Sequence, residues 1–530
     1  MASEFILNVV KIVLLAIAAF ALALSLRVSN ARFAELSPVD ELYHLKRMTH
    51  FVDFDADRNA FCPWPPLYDR AFGALAHGHG LAWIRWFPPI LGALFVALTV
   101  VWLDHRFGQA AAIAAGIALA TSPFIVTQSW VASIDHHWTE PIFVVAIIAA
   151  LIDRRPLLLA LALTAAMFVQ TALLVAAALA FAIAFVTFDG TIAFAIPAIA
   201  IALYRATRPP GYPDNAWFLG WTHAALFAAA AVACVIQSKI QNPKSKIAAA
   251  LASAAAIVLA TPTAPSALLG GLRFFGGEPW LQTINEFQPL WKAHADDLLS
   301  ILAGLGVGAI LVWPLALRAW REKDVARGTV AAFAILYLLL TITSRRFWSV
   351  SIPLLAIAGA IQAGKNCLLL AMVALIPAVQ FVLWMQNPAP PPSVAYAGWF
   401  RAARFLHAQP PGRVLAPWSV GHLLDVDGGR PVVIDNFGTM PDDIAFARAH
   451  DAFLTTHEES LARYCDDNGI RFVAYEPPRG MRSAAAILGL DIPPKLAART
   501  VWARAWSGAP LRDFRRVYAR DGIVIVERRR

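Results

Sequence analysis

The chain has 530 residues, of which 59% are hydrophobic and only 15% charged, and its mean hydropathy is +0.59. An ordinary soluble domain carries roughly 25% charged residues, so a soluble globule is excluded. The net charge of +9 sits mainly in short loops and at the C-terminus, which fits membrane topology better than nucleic-acid binding.

Thirteen apolar runs are predicted as helices, at about 5–27, 81–103, 109–127, 139–152, 157–168, 170–187, 191–204, 216–236, 247–262, 298–317, 328–343, 349–363 and 366–385. Many approach the ~20 residues that cross hydrocarbon as a helix. They are continuous rather than alternating, which selects helices over a barrel. The first run is too long for a signal h-region and is read as a retained helix. Between 157 and 204 only Gln170 and Asp189-Gly190 punctuate an Ala-rich stretch, so the helix count is least determined there. The fold class expected is an α-helical polytopic membrane protein of about thirteen helices, followed by a small soluble α/β domain.

Loops rich in Lys and Arg (104–106, 153–155, 239–246 and 318–327) alternate with the others and are assigned to the cytoplasm, with Arg205 and Arg208 as a mild violation. Residues 28–80, 128–138, 263–297 and 387–530 then share the outer side. Residues 28–80 form a long external loop in which Glu41 to Phe54 reads as an interfacial helix, with Leu42, Leu45, Met48 and Phe51-Val52 on one side. Residues 263–297 form a second long loop, jointed at Gly270-Gly271 and Gly276-Gly277. Pro388 to Pro392 is a stiff linker separating residues 1–387 from a soluble unit at 388–530. Strands are expected there at Pro431–Ile434, Ile470–Tyr475 and Gly522–Glu527. Four scattered cysteines (Cys62, Cys234, Cys367, Cys465) make neither a disulfide framework nor a zinc motif.

Four ionisable groups fall on the outer side. Asp40 either caps the helix that follows it or binds a metal. Asp135-His136-His137 is a short loop of mixed carboxylate and imidazole, a donor set suited to Mn²⁺ or Mg²⁺, or else a polar turn. Glu286, in Thr-Ile-Asn-Glu, is an ordinary exposed acid or part of a loop that orders over a substrate. Arg345 and Arg346 either snorkel or make the bidentate phosphate contacts that lysine does not match.

In this order the segments resemble the catalytic subunit of oligosaccharyltransferases, particularly the single-subunit bacterial and archaeal enzymes of the GT-C class. Asp40 to Lys46 and Trp64-Pro65-Pro66-Leu67 are similar to the family's first-loop segments. Ser133 to His137 resembles the archaeal second acidic motif, Thr283 to Glu286 the Thr-Ile-x-Glu motif, and Arg345-Arg346-Phe347 the segment that meets the donor's diphosphate. One motif departs from the pattern. Where the family has Trp-Trp-Asp-Tyr-Gly, this chain has Pro417-Trp418-Ser419-Val420-Gly421, which leaves Trp418 as either an acceptor contact or a core residue.

The resemblance implies an inverting, metal-dependent glycosyltransferase in the plasma membrane with its site on the outer face, working as a single subunit. Asp40, Asp135 and His137 would hold Mn²⁺ or Mg²⁺, with Asp40 and Glu286 catalytic. Arg345 or Arg346 would bind the phosphate of a polyprenyl-linked donor. Trp418, Gly421 and Glu286 would bind the acceptor, a protein asparagine. The alternative within enzymes is transfer of one sugar from a polyprenyl monophosphate to a lipid, glycan or Ser/Thr. A transporter would need polar groups deep within the spans, and these are scarce.

Overall fold

The computed structural model describes residues 2–529 except 32–33, 38, 52–53, 56–59, 78–80, 241–242, 268, 271–279, 293–294, 387–390 and 441. Val52, the joints at Gly271 and Gly276-Gly277, and Pro388 to Pro390 of the linker thus lie outside the described residues.

The predicted apolar runs are largely helical, although the run at 216–236 becomes helical only from Trp221 and the run at 81–103 divides into Leu81–Ile84 and a helix from Phe87. The run at 109–127 divides into Gln109–Thr121 and Pro123–Gln128, since proline fits a helix's first turn but not its interior. The run at 298–317 divides into Ala295–Leu305 and Gly308–Glu322 at Gly306, whose φ is +60°. Among the described residues, seven helices are long and apolar enough to cross a membrane, and five shorter apolar helices accompany them. The protein is a multi-pass membrane protein, and seven of the about thirteen expected helices pass this length and composition test among the described residues.

Helix burial separates centre from perimeter. Arg345–Ala363 has 83% of its apolar window buried, whereas Val9–Arg27 has 6% and Cys367–Gln386 has 17%. Leu14, Ile17, Leu368 and Leu375 on those two outer helices are more than half exposed, a perimeter that requires lipid as its solvent. At the centre two helices touch backbone to backbone: a Cβ added at Gly308 would lie 2.2 Å from the Leu355 carbonyl oxygen, and one at Gly359 3.1 Å from Gly308 Cα. Small residues permit that approach, and packing rather than hydrophobicity drives helix association in lipid.

The polar tail folds on a four-stranded sheet. We name its strands β1 (Arg413–Leu415), β2 (Ile470–Tyr475), β3 (Phe514–Arg520) and β4 (Ile523–Arg528). The order is β1-β2-β4-β3, with β1 and β2 parallel and the other pairs antiparallel. Asp521 and Gly522, both at positive φ, make the two-residue turn between β3 and β4; Asp-Gly suits a turn that needs positive φ at both central positions. Of the three predicted strands, Ile470–Tyr475 forms, and Gly522–Glu527 forms as Ile523–Arg528. Pro431–Ile434 contributes only an isolated bridge, Val414 to Val432.

Alternation along β2 fills two cores. Val473 and Tyr475 meet Phe446, Phe453 and Trp502 on one face, while Phe472 and Ala474 meet Trp399, Leu406 and Leu424 on the other. Leu42, from the predicted interfacial helix, joins the second core, and Trp280 and Leu281, from the second long loop, join the first. Both external loops are therefore clamped against the sheet unit. That helix spans Glu41–Thr49, ending before the predicted Phe54, with Leu42, Tyr43, His44, Arg47 and Met48 buried.

Candidate active site

Loops from both parts of the chain enclose a cavity of about 970 Å³. Its wall includes Asp40, Asp135, His137, Glu286, Arg346 and Trp418, residues from five separate segments of the sequence. Arg345 and Gly421 stand apart from it. Arg345 binds Gln288 through both its backbone N–H (3.1 Å) and its side chain (3.1 Å), pinning the loop that carries Glu286. Gly421 packs on the next segment, where an added Cβ would lie 2.4 Å from Asp435 Cα.

Asp40 precedes the helix Glu41–Thr49 but its side chain makes no capping hydrogen bond. The carboxylate is thus not consumed by the local role a sequence reading allows. Burial pushes the Asp40 carboxyl well above the usual carboxylate range and Asp135 adds to the rise, while His137 and His44 oppose it. Asp135 likewise precedes a short 3₁₀ turn, His136–Thr139, without capping it. Burial would raise its carboxyl, but His137 and His136 hold it well below the usual range.

A buried polar chain orients these groups. Asp69 Oδ1 accepts from His44 Nδ1 at 2.6 Å, and Arg47 donates to Asp69 Oδ2. His44 Nε2 lies 3.0 Å from His136 Nδ1 and 3.6 Å from Asp135 Oδ1. Burial alone would lower the His44 pKa; Asp69 and Asp135 outweigh it and raise it to about 9. Trp64 stacks on the His44 ring at 4.1 Å. The Gln170 amide meets His136 Nε2 at 2.8 Å, and Tyr68, which donates to the Ile134 carbonyl at 2.6 Å, accepts from Trp138 Nε1.

Glu140 makes the second network. Arg346 Nη2 lies 2.5 Å from its Oε1 and 2.7 Å from His137 Nδ1, and Ser349 donates to Oε2 at 3.3 Å. With Nδ1 of His137 turned to Glu140 (3.0 Å), Nε2 is the nitrogen facing Asp135 Oδ2, at 3.4 Å. A carboxylate behind a ring nitrogen is the arrangement that orients metal-binding imidazoles.

The donor atoms of His44, Asp135 and His136 lie within 4.8 Å of one another, as do those of His136, His137 and Glu140. Asp135 Oδ1 is buried without a well-formed hydrogen bond. Carboxylate oxygens with imidazole nitrogen suit a divalent cation, so the residues fit one.

Sequence reasoning passed over Glu140 and Asp69, and placed His44 and His136 in motifs without giving either a role of its own. Glu140 had a signal, a lone acid opening an apolar helix, since an ionisable group at a membrane helix is by default functional or paired. Asp69 had none, because its partners His44 and Arg47 lie more than twenty residues upstream.

The overall fold can now be placed. The structure superposes on oligosaccharyltransferase AglB of Archaeoglobus fulgidus, solved in complex with an inhibitory peptide and a dolichol-phosphate, with a TM-score of 0.78 over 96% of this chain and 79% of that one. The fold is that of an archaeal oligosaccharyltransferase. Structures of the Archaeoglobus fulgidus oligosaccharyltransferase with Zn and sulfate (TM-score 0.69) and tethered to an acceptor peptide containing the NVT sequon (0.68) match over the same shares. Identity is only 14–15% across these comparisons. No family model matches the sequence, and no curated protein does. The GT-C helical fold with a C-terminal sheet unit, expected from the motifs, is thereby borne out.

Proposed function

We propose that this chain is a membrane glycosyltransferase that moves a glycan from a polyprenyl-(di)phosphate carrier to protein asparagine, with inversion at the anomeric carbon. The observation that carries this reading is the shared cavity, whose lining combines Asp40, Asp135, His137, Glu286 and Arg346 with the apolar Leu173, Leu174, Val175 and Leu226. A guanidinium and acids together with apolar side chains suit a donor that is half lipid. The ligands in the neighbouring structures, a dolichol-phosphate and a sequon peptide, support the same donor and acceptor classes.

Arg346 would hold the carrier phosphate through a charge-assisted hydrogen bond, kept in place by Glu140. Asp40, Asp135 and His137 would hold Mn²⁺ or Mg²⁺, with Glu286 near enough to add its charge. When bound, the cation would neutralise the cluster and orient the acceptor. The Glu286 loop, docked through Trp280, would exclude water and position the amide. In the transfer, the amide nitrogen bonds to the anomeric carbon as the carbon–oxygen bond to phosphate breaks; the amide proton passes to Asp40 or Glu286, and the carrier leaves as polyprenyl (di)phosphate. Arg345 would act through Gln288 and Gly421 through the Asp435 segment, with Trp418 as the acceptor contact. The site would face the outside of the plasma membrane and need no second subunit.

One observation favours single-sugar transfer from a polyprenyl monophosphate instead: Ser419 follows Trp418 where the family's motif has an acid. Glycopeptide mass spectrometry separates the readings. Cells with the intact gene should carry Asn-linked glycan that disappears with Asp135→Ala, while the variant still folds. Glycan transfer that survives Asp135→Ala refutes the assigned role. A changed lipid glycan with no peptide glycan supports the second reading.

A further inference from the structure

The cavity continues past Gln170 to a polar corner that none of the acids explains. Its wall there is built by the loop ahead of the helix Trp221–Lys239. Asn215 Oδ1 accepts from the backbone N–H groups of Trp217 (2.9 Å) and Phe218 (3.2 Å). Asp214 accepts from Thr222 N (3.2 Å) and from the Thr263 hydroxyl (2.8 Å). Thr171 donates to the Trp217 carbonyl at 3.3 Å, tying this loop to the opposite wall. The corner is thus rigid.

His223 sits inside it, 2% exposed and facing the cavity. Gly220 N–H donates to its Nδ1 at 3.4 Å, so the neutral ring carries its hydrogen on Nε2. Among the described residues nothing hydrogen-bonds that Nε2. An N–H donor on a cavity wall is satisfied by a ligand oxygen that reaches it. Resting on the glycosyltransferase reading, we propose that His223 Nε2–H donates to an oxygen of the sugar attached directly to the carrier phosphate, with Trp217 and Gln170 as the other walls of this subsite.

Two observations select a sugar over the phosphate. The Asp214 carboxylate occupies the start of the helix and cancels the positive end that would favour an anion. Trp217 also lines the corner, and an aromatic face accepts the positive C–H edges of a pyranose as it does the edge of another ring. Leu174, Val175, Ala178 and Leu226 adjoin the subsite and suit the first isoprene units.

The test is equilibrium binding to the full-length protein in lipid nanodiscs with two probes. One is the lipid-linked glycan extracted from membranes of the cells that make the protein; the other is the same carrier after mild acid has removed the glycan. His223→Ala and the ring-sized His223→Phe are expected to weaken the intact carrier about tenfold, the loss of one well-formed hydrogen bond, and to leave the stripped carrier unchanged. His223→Gln, which keeps an N–H donor, should stay within about threefold of the unaltered protein. Equal loss for both carriers, or no loss for either, overturns the subsite. If the unaltered protein binds neither carrier, the glycosyltransferase reading itself falls. Binding that Arg346→Ala weakens for both carriers keeps that reading standing whatever His223 does.

Discussion

Replacing Arg346 with alanine removes a guanidinium whose partner cannot follow it into water. The side chains of Arg346 and Glu140 are 9% and 6% exposed, and the two meet at 2.5 Å with a second contact at 3.4 Å. Stripping one member from a buried pair strands the other, at about 3–5 kcal/mol. His137 and Ser349 still reach Glu140, so Arg346→Ala should fall at the low end, about 3 kcal/mol. Glu140→Ala leaves Arg346 with only the weak help of an imidazole and should cost as much or more. The double alanine variant carries no stranded charge and loses mainly packing, so it should be more stable than either single variant by about 1–2 kcal/mol. The coupling energy of the cycle should exceed about 2 kcal/mol, against about 0–1 for a surface pair. Unfolding in mixed micelles titrated with dodecyl sulfate, followed by far-UV circular dichroism, measures stability; transfer from the extracted lipid-linked glycan measures function. Stability should recover in the double variant while transfer does not. A coupling below 1 kcal/mol would refute the buried-pair argument, and a double variant that regains transfer would remove Arg346 from the phosphate.

Other outcomes follow from particular contacts. His450 is buried against Phe446 and Phe453, and burial lowers its pKa to about 4 even though its Nδ1–H donates to the Phe446 carbonyl at 2.8 Å. The unfolded chain then binds the extra proton between pH 6.5 and 4, so stability of the sheet unit should fall over that window by up to about 3 kcal/mol; thermal melts of His450→Phe should lose this dependence. Gly308→Ala would press a methyl into the Leu355 carbonyl and should destabilise the helix crossing by about 1–3 kcal/mol or more, read as a lower melting temperature in detergent, whereas Gly270→Ala, with open space around it, should not. Gly438 has φ +58°, and an added Cβ would lie 2.5 Å from the Trp280 ring. Gly438→Ala should therefore release the Glu286 loop, raising proteolytic cleavage near residue 280 and depressing transfer, with little change in the melting of the helical part.

The sequence by itself determined the helical membrane fold, because backbone groups in lipid have no partner but their own segment and long apolar runs admit one solution. It also located β2 and β4, whose apolar residues are buried on both faces. It missed β3, Phe514–Arg520, an edge strand whose arginines face water and break the apolar pattern. The motif residues Asp40, Asp135, His137, Glu286 and Arg346 were legible one at a time, each beside an ordinary structural explanation. Only the tertiary structure decided between these: it left Asp40 and Asp135 uncapped and turned both toward one cavity. It also supplied what no spacing encodes, Glu140 under Arg346, Asp69 behind His44 and His223 in the polar corner. Those partners are 25 to 206 residues apart where they pair, and contacts at such separation are set by how helices and loops pack, not by any local pattern.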